Sequence, residues 1–315
     1  MALNSGGNPS IVKTAIDSVF MSRFDREQEP GEVLATDGLF FNQDTTTKQA
    51  EITEVYLPPQ LFVINNEEEE LNQDTIITGN QVTHTINKYA DAVFISDVFF
   101  EDDQHSIVDR TIREFGRSAR LARDSFAFQQ TYGDAFSGAT TDDGVALVSN
   151  SHTNLNGDTI DNLETGALTP DNLKTLFLSL TLQKDQRGKL GAHNAAGLLV
   201  PRVLHDEAME ITKSELAANS AENNLNYFST VYPGLRVGSS AFLDSAFNTL
   251  NSNADTSYFL IGQDHGITRW VRRGLKTNLV SPETDIRDRW IYKASYREIV
   301  APVTWEGLAG SNGTT

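Results

Sequence analysis

The sequence contains no cysteine among its 315 residues. Disulfide bonds, thiolate nucleophiles and cysteine-ligated zinc are therefore excluded. No run of eighteen apolar residues occurs, and the opening MALNSGGNPS has neither the charged nor the apolar region of a signal peptide. The sequence thus supports neither membrane insertion nor secretion, and it favours a protein made and used in a cytoplasm.

Positive charge is also scarce, because 25 lysines and arginines face 43 aspartates and glutamates and leave a formal net charge of -18. A chain this acidic repels nucleic acid as a whole, and a specific DNA reader would show a large basic face. Sequence-specific DNA binding is therefore disfavoured. With 315 residues and 39% hydrophobic content, the chain can build two domains or one large one.

The strongest periodic pattern predicts one long amphipathic helix from Asp103 to Tyr132. Acidic residues 101–103 stand at its start, where the positive helix end favours anions, and Gly133 follows its last residue, where a left-handed cap suits glycine. At 1.5 Å per residue, such a helix is roughly 45 Å long and spans a domain. The apolar face consists of Val108, Ile112, Phe115, Ala119, Ala122 and Phe126.

A second face of the same helix is basic, and it carries Arg110, Arg113, Arg117, Arg120 and Arg123. Such a row of positive charge needs either water or a partner. Asp109, Glu114 and Asp124 stand three or four residues from several of these arginines, so one option is neutralisation within the helix.

The rest of the chain reads as alternating strands and helices, which predicts the α+β class. A short arm helix is expected at 11–24 after a loose lead, and a β-hairpin at 54–64 and 74–88, which includes the acidic run Glu67, Glu68, Glu69 and Glu70. Further strands are predicted at 92–100, 145–148, 197–201, 258–261, 267–271 and 290–296, helices after Pro170 and at 203–218, and a frayed tail AGSNGTT. Phe115 and Phe126 are expected to pack against the strand at 290–296.

Candidate chemistry is sparse. His152 near Asp142, Asp143 and Ser149 could form a hydrolytic triad or a metal site, but no Gly-x-Ser-x-Gly elbow or His-x-x-x-His pair accompanies it. A loop histidine bonded to its own turn is the favoured interpretation.

The other candidates have ordinary structural explanations. His193, His205 and His265 are isolated, and the run Glu67–Glu70 fits a solvated segment better than a divalent cation site. Arg269, Arg272 and Arg273 around Trp270 could meet a phosphate or a subunit, or they could simply lie on a surface strand. The sequence predicts no catalytic residue, no metal and no cofactor.

Five segments in order resemble the major capsid proteins of tailed bacteriophages, with the Hong Kong 97-type shell fold. They are TAIDSVFMSRFD, PGEVLATDGLFF, TINKYADAVFISDVFFEDD, DDGVALVSNSHTN and GLLVPRVLHDEAMEI. The resemblance implies an N-terminal arm, an extended E-loop hairpin, a peripheral domain with a long spine helix, and an axial domain. The corresponding ranges are 1–45, 46–90, 91–165, 166–277 and 278–315, the last returning to the peripheral domain.

The resemblance also implies self-assembly into hexamers and pentamers of an icosahedral head that encloses double-stranded DNA, which it meets by non-specific proximity. Expected partners are a portal, an optional decoration protein, and a separate scaffolding protein because the arm starts soon after Met1. Covalent crosslinking is not expected, since Lys48 and Lys88 lie at the hairpin base and the hairpin tip is acidic. The alternatives are an encapsulin-like nanocompartment shell and, in another class, a soluble hydrolase using His152.

The hairpin of that shell fold reaches across a neighbouring subunit. This suggests a second option for the arginine row, in which Glu67–Glu70 of one subunit lie over Arg110, Arg113, Arg117, Arg120 and Arg123 of the next. The arm and the hairpin are further expected to be ordered only by neighbours, because neither has a self-contained core.

Overall fold

Two larger β-sheets and two short two-stranded ones organise the computed structural model, which describes residues 9–25, 29–57, 78–103, 106–216, 225–284 and 287–314. The α-helices are α1 (Pro9–Phe24), α2 (Asp97–Glu101), α3 (Ile107–Gln129), α4 (Pro170–Thr181), α5 (His205–Lys213) and α6 (Tyr227–Val231). The strands are β1 (Asn42–Thr45), β2 (Ala50–Tyr56), β3 (Thr78–Thr85), β4 (Asn87–Ser96), β5 (His152–Thr153), β6 (Thr159–Ile160), β7 (Leu163–Glu164), β8 (Ala195–Pro201), β9 (Arg236–Ser240), β10 (Tyr258–Gly262), β11 (Ile267–Val280), β12 (Arg289–Pro302) and β13 (Leu308–Ser311).

The five-stranded sheet has the order β7-β13-β10-β8-β9 and carries one hydrophobic core. All residues of β10 are buried, as expected for a continuous apolar strand enclosed on both faces. Helix α4 covers this sheet with Leu173, Leu176 and Leu180. The Thr169 hydroxyl accepts a hydrogen bond from the Asn172 amide and Pro170 occupies the first turn, so the predicted helix start is confirmed.

The four-stranded sheet has the order β1-β11-β12-β4, and its two long central strands are antiparallel. The predicted alternation in β12 is confirmed, because Trp290, Tyr292, Ala294 and Tyr296 are all buried. The first three of these side chains join residues of α1 and α3 in a second core. Strand β11 continues to Val280, well past the end predicted for it at residue 271.

The long helix is shorter than predicted. Helix α3 has 23 residues and is therefore about 35 Å long. Its start is set by Asp103, whose carboxylate accepts hydrogen bonds from the Ile107 and Val108 amides at 2.9 and 3.0 Å, while Ser106 turns the chain with a left-handed φ of 54°. Gly133 belongs to a 3-10 turn at Tyr132–Asp134, so the predicted left-handed cap is wrong.

The buried side of α3 is rotated relative to the predicted apolar face. Its buried members are Val108, Ile112, Gly116, Arg120, Asp124, Ala127 and Phe128. The rotation has a cause in α1, because a side chain at Gly116 would collide with the carbonyl oxygen of Phe20. Phe115 contacts Tyr292 of β12 as predicted, with ring centroids 6.2 Å apart. Phe126 is 40% exposed and stacks on Tyr89 of β4, so its predicted burial against β12 is wrong.

The predicted arm helix is confirmed as α1. Its side chains Val12, Ile16, Phe20 and Phe24 are buried in the core shared with α3 and β12. The arm helix therefore has apolar partners within its own chain, and the expectation that neighbours alone order it is wrong for α1.

The predicted hairpin is present as the pair β2–β3, with Thr53 opposite Val82. His84 and Ile86 are buried while Thr83 and Thr85 are exposed, which confirms a hairpin wet on one side. The tip, including Glu67–Glu70, lies outside the described residues.

Four smaller predictions are wrong. The segment at 92–100 is not one buried strand, because β4 is half exposed and residues 97–101 form α2. Residues 145–148 make only an isolated bridge between Ala146 and Thr140. The tail is not frayed, because β13 is buried between β7 and β10 in the five-stranded sheet. Helix α5 ends at Lys213, before the end predicted at residue 218.

The two large sheets suit the predicted division into an axial and a peripheral part, but the boundaries at 45, 90, 165 and 277 stay predictions. No helix within the described ranges is long and apolar enough to cross a membrane.

Candidate functional site

The arginine row of α3 is largely balanced within its own helix. Arg113 lies 2.8 Å from the Asp109 carboxylate and Arg117 lies 3.3 Å from Glu114. Arg123 lies 3.4 Å from Asp124 and also stacks over the Phe24 ring. These ion pairs match the first of the two options given by the sequence.

The two remaining arginines of the row have opposite environments. Arg110 is exposed, whereas Arg120 is only 4% exposed. Within the described residues, Nε and Nη1 of Arg120 have no hydrogen-bond acceptor. The five arginines therefore do not form one exposed basic surface. The proposed partner Glu67–Glu70 lies outside the described residues, so the pairing between subunits stays a prediction.

His152 is fully buried and lies in a polar cluster behind the turn at 303–307. Its Nδ1 is 2.8 Å from Asp143 Oδ2, and its ring stacks on Trp305 at 5.5 Å. The Ser149 hydroxyl bonds Ser151 at 3.0 Å and is not paired with the imidazole. A triad needs its nucleophile within hydrogen-bond reach of the histidine. The geometry thus favours the structural interpretation, a histidine bonded to its own turn.

Carboxyl groups near His152 have strongly perturbed acidities. Burial, with repulsion from Asp143, raises the pKa of Asp142 to about 6. Burial also raises the pKa of Glu306 to about 7, although a hydrogen bond with Gln186 opposes the effect. Burial acts on Asp143 too, but hydrogen bonds from His152 and Thr141 outweigh it and lower its pKa to about 2.

These shifts predict a stability that falls as the pH rises from the ordinary carboxyl pKa values of 3.8 and 4.5 to the raised values of about 6 and about 7. When the pH is above the ordinary carboxyl pKa values of 3.8 and 4.5, the unfolded chain has already released these two protons, whereas folded Asp142 and Glu306 keep them. The stability that these two protonated carboxyls contribute is fully present below pH 3.8 and 4.5, respectively, and is lost as the pH rises through about 6 for Asp142 and about 7 for Glu306. The melting temperature of Asp142→Asn with Glu306→Gln should therefore vary less over this window than that of the parent. Equal slopes for the two proteins would contradict this account.

The base of the hairpin is tied to the four-stranded sheet by aromatic stacking. His84 of β3 stacks on Trp270 of β11 at 4.9 Å, and Thr53 Oγ1 lies 3.2 Å from His84 Nε2. Burial lowers the pKa of His84, which favours the neutral ring. Trp270, at the centre of the predicted basic group, is therefore buried beneath the hairpin.

Arg269, from the same predicted group, is buried beside Trp270. Its guanidinium bonds the Glu298 carboxylate, and Nη1 donates to Gln43 Oε1 at 2.8 Å. His265 is similarly structural, because its Nε2 lies 3.0 Å from the Leu39 carbonyl and burial lowers its pKa to about 4.

The four-stranded sheet also carries a basic surface that the sequence pattern does not predict. It lies opposite the face that packs on α1 and α3, and we name it the basic sheet face; its residues are Lys88, Arg273, Lys276, Lys293 and Arg297. Lys293 and Arg297 are four residues apart in a strand, which is a visible signal for one shared face. The cations of the other two strands depend on strand register, which the sequence does not give.

No group of three or more histidines, aspartates or glutamates in the described part of the chain is arranged to hold a metal ion. The remaining candidates for function are exposed or charged surfaces. They comprise the projecting hairpin, the α3 row and the basic sheet face.

Comparison with known families agrees with this description. A family model described as phage capsid protein matches residues 79–310, which is most of the chain. The chain therefore belongs to the phage capsid protein family. It is a major capsid protein, a subunit that forms a shell. No curated protein sequence matches it.

Solved structures with a similar fold are shell proteins. The virus-like particle from Pyrococcus furiosus has a TM-score of 0.54 at 9% identity and covers 95% of this chain and 98% of that chain. The capsid of an empty GTA particle has a TM-score of 0.55 at 11% identity, with 92% and 94% covered. The capsid of Cyanophage P-SCSP1u has a TM-score of 0.53 at 12% identity, with 91% and 92% covered. At these identities the likeness concerns the fold, which is the predicted Hong Kong 97-type shell fold.

Proposed function

We propose that this capsid protein assembles as hexamers and pentamers into an icosahedral head around double-stranded phage DNA. The observation that carries the proposal is the hairpin β2–β3, which stands outside both large sheets. Its residues Ile52 and Tyr56 are 61% and 58% exposed. A lone two-stranded hairpin is marginally stable in water, so contacts with neighbouring subunits would stabilise it.

The net charge of -18 fits a container for DNA. A strongly acidic inner wall would repel the polyphosphate backbone, so DNA would meet the shell by proximity and could be packed without being held. The further partners expected for this role are a portal and a separate scaffolding protein, with a decoration protein as an optional addition. Assembly would take place in the host cytoplasm, without membrane involvement, before the protein becomes part of the virion.

An encapsulin-like compartment is the second candidate, favoured by the fold likeness to the virus-like particle from Pyrococcus furiosus over 98% of that chain. The two candidates differ in cargo. A phage head is filled with DNA through a portal, whereas a nanocompartment encloses protein.

Particle formation tests the proposal. We expect the purified chain, concentrated at moderate salt, to form megadalton particles that are visible by electron microscopy and sedimentation. Replacing Ile52 and Tyr56 by serine should keep the subunit folded, because both side chains are exposed, and should reduce the particle yield severalfold. Replacing the exposed Leu178 by serine is a matched control on another surface. A folded monomer that forms no particles, either alone or after expression together with a scaffolding protein, would overturn the proposal.

A further inference from the structure

The chain crosses between the two large sheets at two places that lie side by side. Residues 263–266 lead from β10 of the five-stranded sheet to β11 of the four-stranded sheet, and residues 303–307 lead from β12 back to β13. We name them the first and the second crossing. The Val303 amide of the second crossing donates a hydrogen bond to the Gly266 carbonyl of the first at 2.8 Å. The position of one sheet relative to the other therefore depends on both crossings.

Two glycines bring the crossings into direct backbone contact. A side chain at Gly266 would collide with the Thr304 carbonyl oxygen. A side chain at Gly307 would lie 2.8 Å from the Asp264 carbonyl oxygen, and Gly307 has a left-handed φ of 72° that favours glycine. The Gly307 carbonyl also accepts a hydrogen bond from the Gly262 amide at 2.8 Å. The crossings are thus closely packed, and a movement of the second disturbs the first.

Two carboxyl groups are attached to the second crossing. Glu306 belongs to it, and the backbone amide of Asp142 donates to the Val303 carbonyl at 3.1 Å. Asp142 is only 9% exposed. Within the described residues, Asp142 Oδ1 and Glu306 Oε1 are buried without a hydrogen-bond donor. A negative charge on either oxygen would lack a compensating bond, so ionisation in the closed structure is costly.

The charges around these carboxyls are mostly negative. Asp142 is influenced by Asp143 and His152. Glu306 is influenced by Asp185 as well as by Asp142. Other charged groups of the adjoining segments are Glu54 of β2, which lines a depression with Glu306, and Lys184, Arg187 and Lys189 of the loop after α4. Among the groups that influence the two carboxyls most strongly, only His152 can carry positive charge.

Ionisation of the two carboxyls adds negative charge to this confined space. Burial is the first cause of their raised pKa values, about 6 for Asp142 and about 7 for Glu306. As the pH rises past these values, two new negative charges appear beside Asp143, which is already ionised. Like charges in a poorly hydrated space repel one another, and entry of water relieves this cost. Ionisation therefore favours opening of the second crossing.

We propose that Asp142 and Glu306 form a pH-sensitive lock on the two crossings, which is closed while both carboxyls are protonated and opens when both are ionised. In the open state, the hydrogen bonds between the crossings are lost and water reaches the carboxylates. The flanking strands stay paired, because β10 pairs with β8 and β13, and β12 pairs with β11 and β4. The lock thus lets the two sheets change their relative position while each sheet stays folded.

The nearby histidines do not supply the switch. His193 is influenced by Asp264 and Asp185, but burial lowers its pKa. Burial also lowers the pKa of His265, in the first crossing, to about 4. Both rings are therefore largely neutral when the two carboxyls ionise, and their charge changes little over that pH range.

Hydrogen exchange of the unassembled subunit tests the lock. Protection factors, corrected for the intrinsic effect of pH on exchange, are measured for residues 262–266 and 303–307 at about pH 5 and about pH 8. We expect protection in the parent to fall at least about tenfold between these values, because opening relieves the cost of ionising both carboxyls. In Asp142→Asn with Glu306→Gln, protection should be nearly the same at both values. Strand β12 should stay protected in both proteins.

Asp244→Asn is the matched control, since burial also raises the pKa of Asp244, which lies outside the crossings. This variant should keep the parent's pH dependence. The single variant Glu306→Gln, at a half-buried position, should remove the larger part of it. Unchanged protection of the crossings in the parent, or the parent's pH dependence in either Glu306 variant, would overturn the proposal. An equal loss of protection in β10 and β12 would show global unfolding in place of a local lock and would also overturn it.

Discussion

Replacing Glu298 by leucine should lower the free energy of unfolding by about 3 to 5 kcal/mol, because it leaves the buried Arg269 guanidinium without its carboxylate. Both side chains are almost fully buried, at 10% and 7% exposure. Gln43 offers Arg269 only a neutral acceptor. Since this pair lies beside the Trp270 stack, we also expect looser attachment of the hairpin. Chemical denaturation of the subunit measures the first effect, and hydrogen exchange in β3 measures the second.

The double variant Glu298→Leu with Arg269→Met is the control for this prediction. Removing both charges together avoids an unpaired buried ion, and such replacements are often neutral or stabilising. The double variant should therefore recover most of the lost stability. If it is as unstable as Glu298→Leu alone, the loss comes from packing and the ion-pair explanation is wrong.

Replacing Phe20 by alanine should cost about 3 to 5 kcal/mol, the range found for fully buried aromatic residues. Its ring is completely buried and contacts the rings of Phe24, Phe115 and Tyr292 at centroid distances of 5.9, 5.4 and 5.6 Å. Because α1 joins the core largely through this side chain and its neighbours, we expect proteases to cut α1 before the rest of the subunit unfolds. Thermal unfolding combined with limited proteolysis measures both effects.

Phe247→Ala is the matched aromatic control, since Phe247 is 59% exposed. Exposed substitutions usually change stability by no more than about 0.5 kcal/mol. Similar losses in the two variants would mean that Phe20 has no special role in holding α1.

Local signals in the sequence predicted the elements that depend on local chemistry. The Thr169 cap, the Pro170 helix start and the alternation in β12 are all properties of adjacent residues, and all are confirmed. The ends of α3 were predicted less well, because Asp103 serves as a cap outside the helix and Gly133 enters a 3-10 turn. Both ends were predicted from flanking residues, the acidic residues 101–103 and Gly133, which do not by themselves show where the backbone turns.

Features that require tertiary pairing could not be predicted in this way. The buried side of α3 is set by the close approach of Phe20 to Gly116, which the pattern on α3 alone does not contain. The basic sheet face likewise depends on the register that aligns Lys88, Arg297 and Arg273. The small polar residues of the tail predict a frayed end, but strand β13 pairs with β10 and β7 and is buried between them.

The position of β13 also has a consequence for synthesis on the ribosome. Strand β10 pairs with both β8 and β13, yet residues 263–307 are translated between β10 and β13. At 5 to 20 residues per second, the fully apolar β10 waits roughly 2 to 10 seconds with one edge open. An open apolar edge is a template for pairing with other chains. Nascent subunits crowded on one messenger are therefore most vulnerable to mispairing during this interval, and chaperone binding at that stage would protect the yield of subunits.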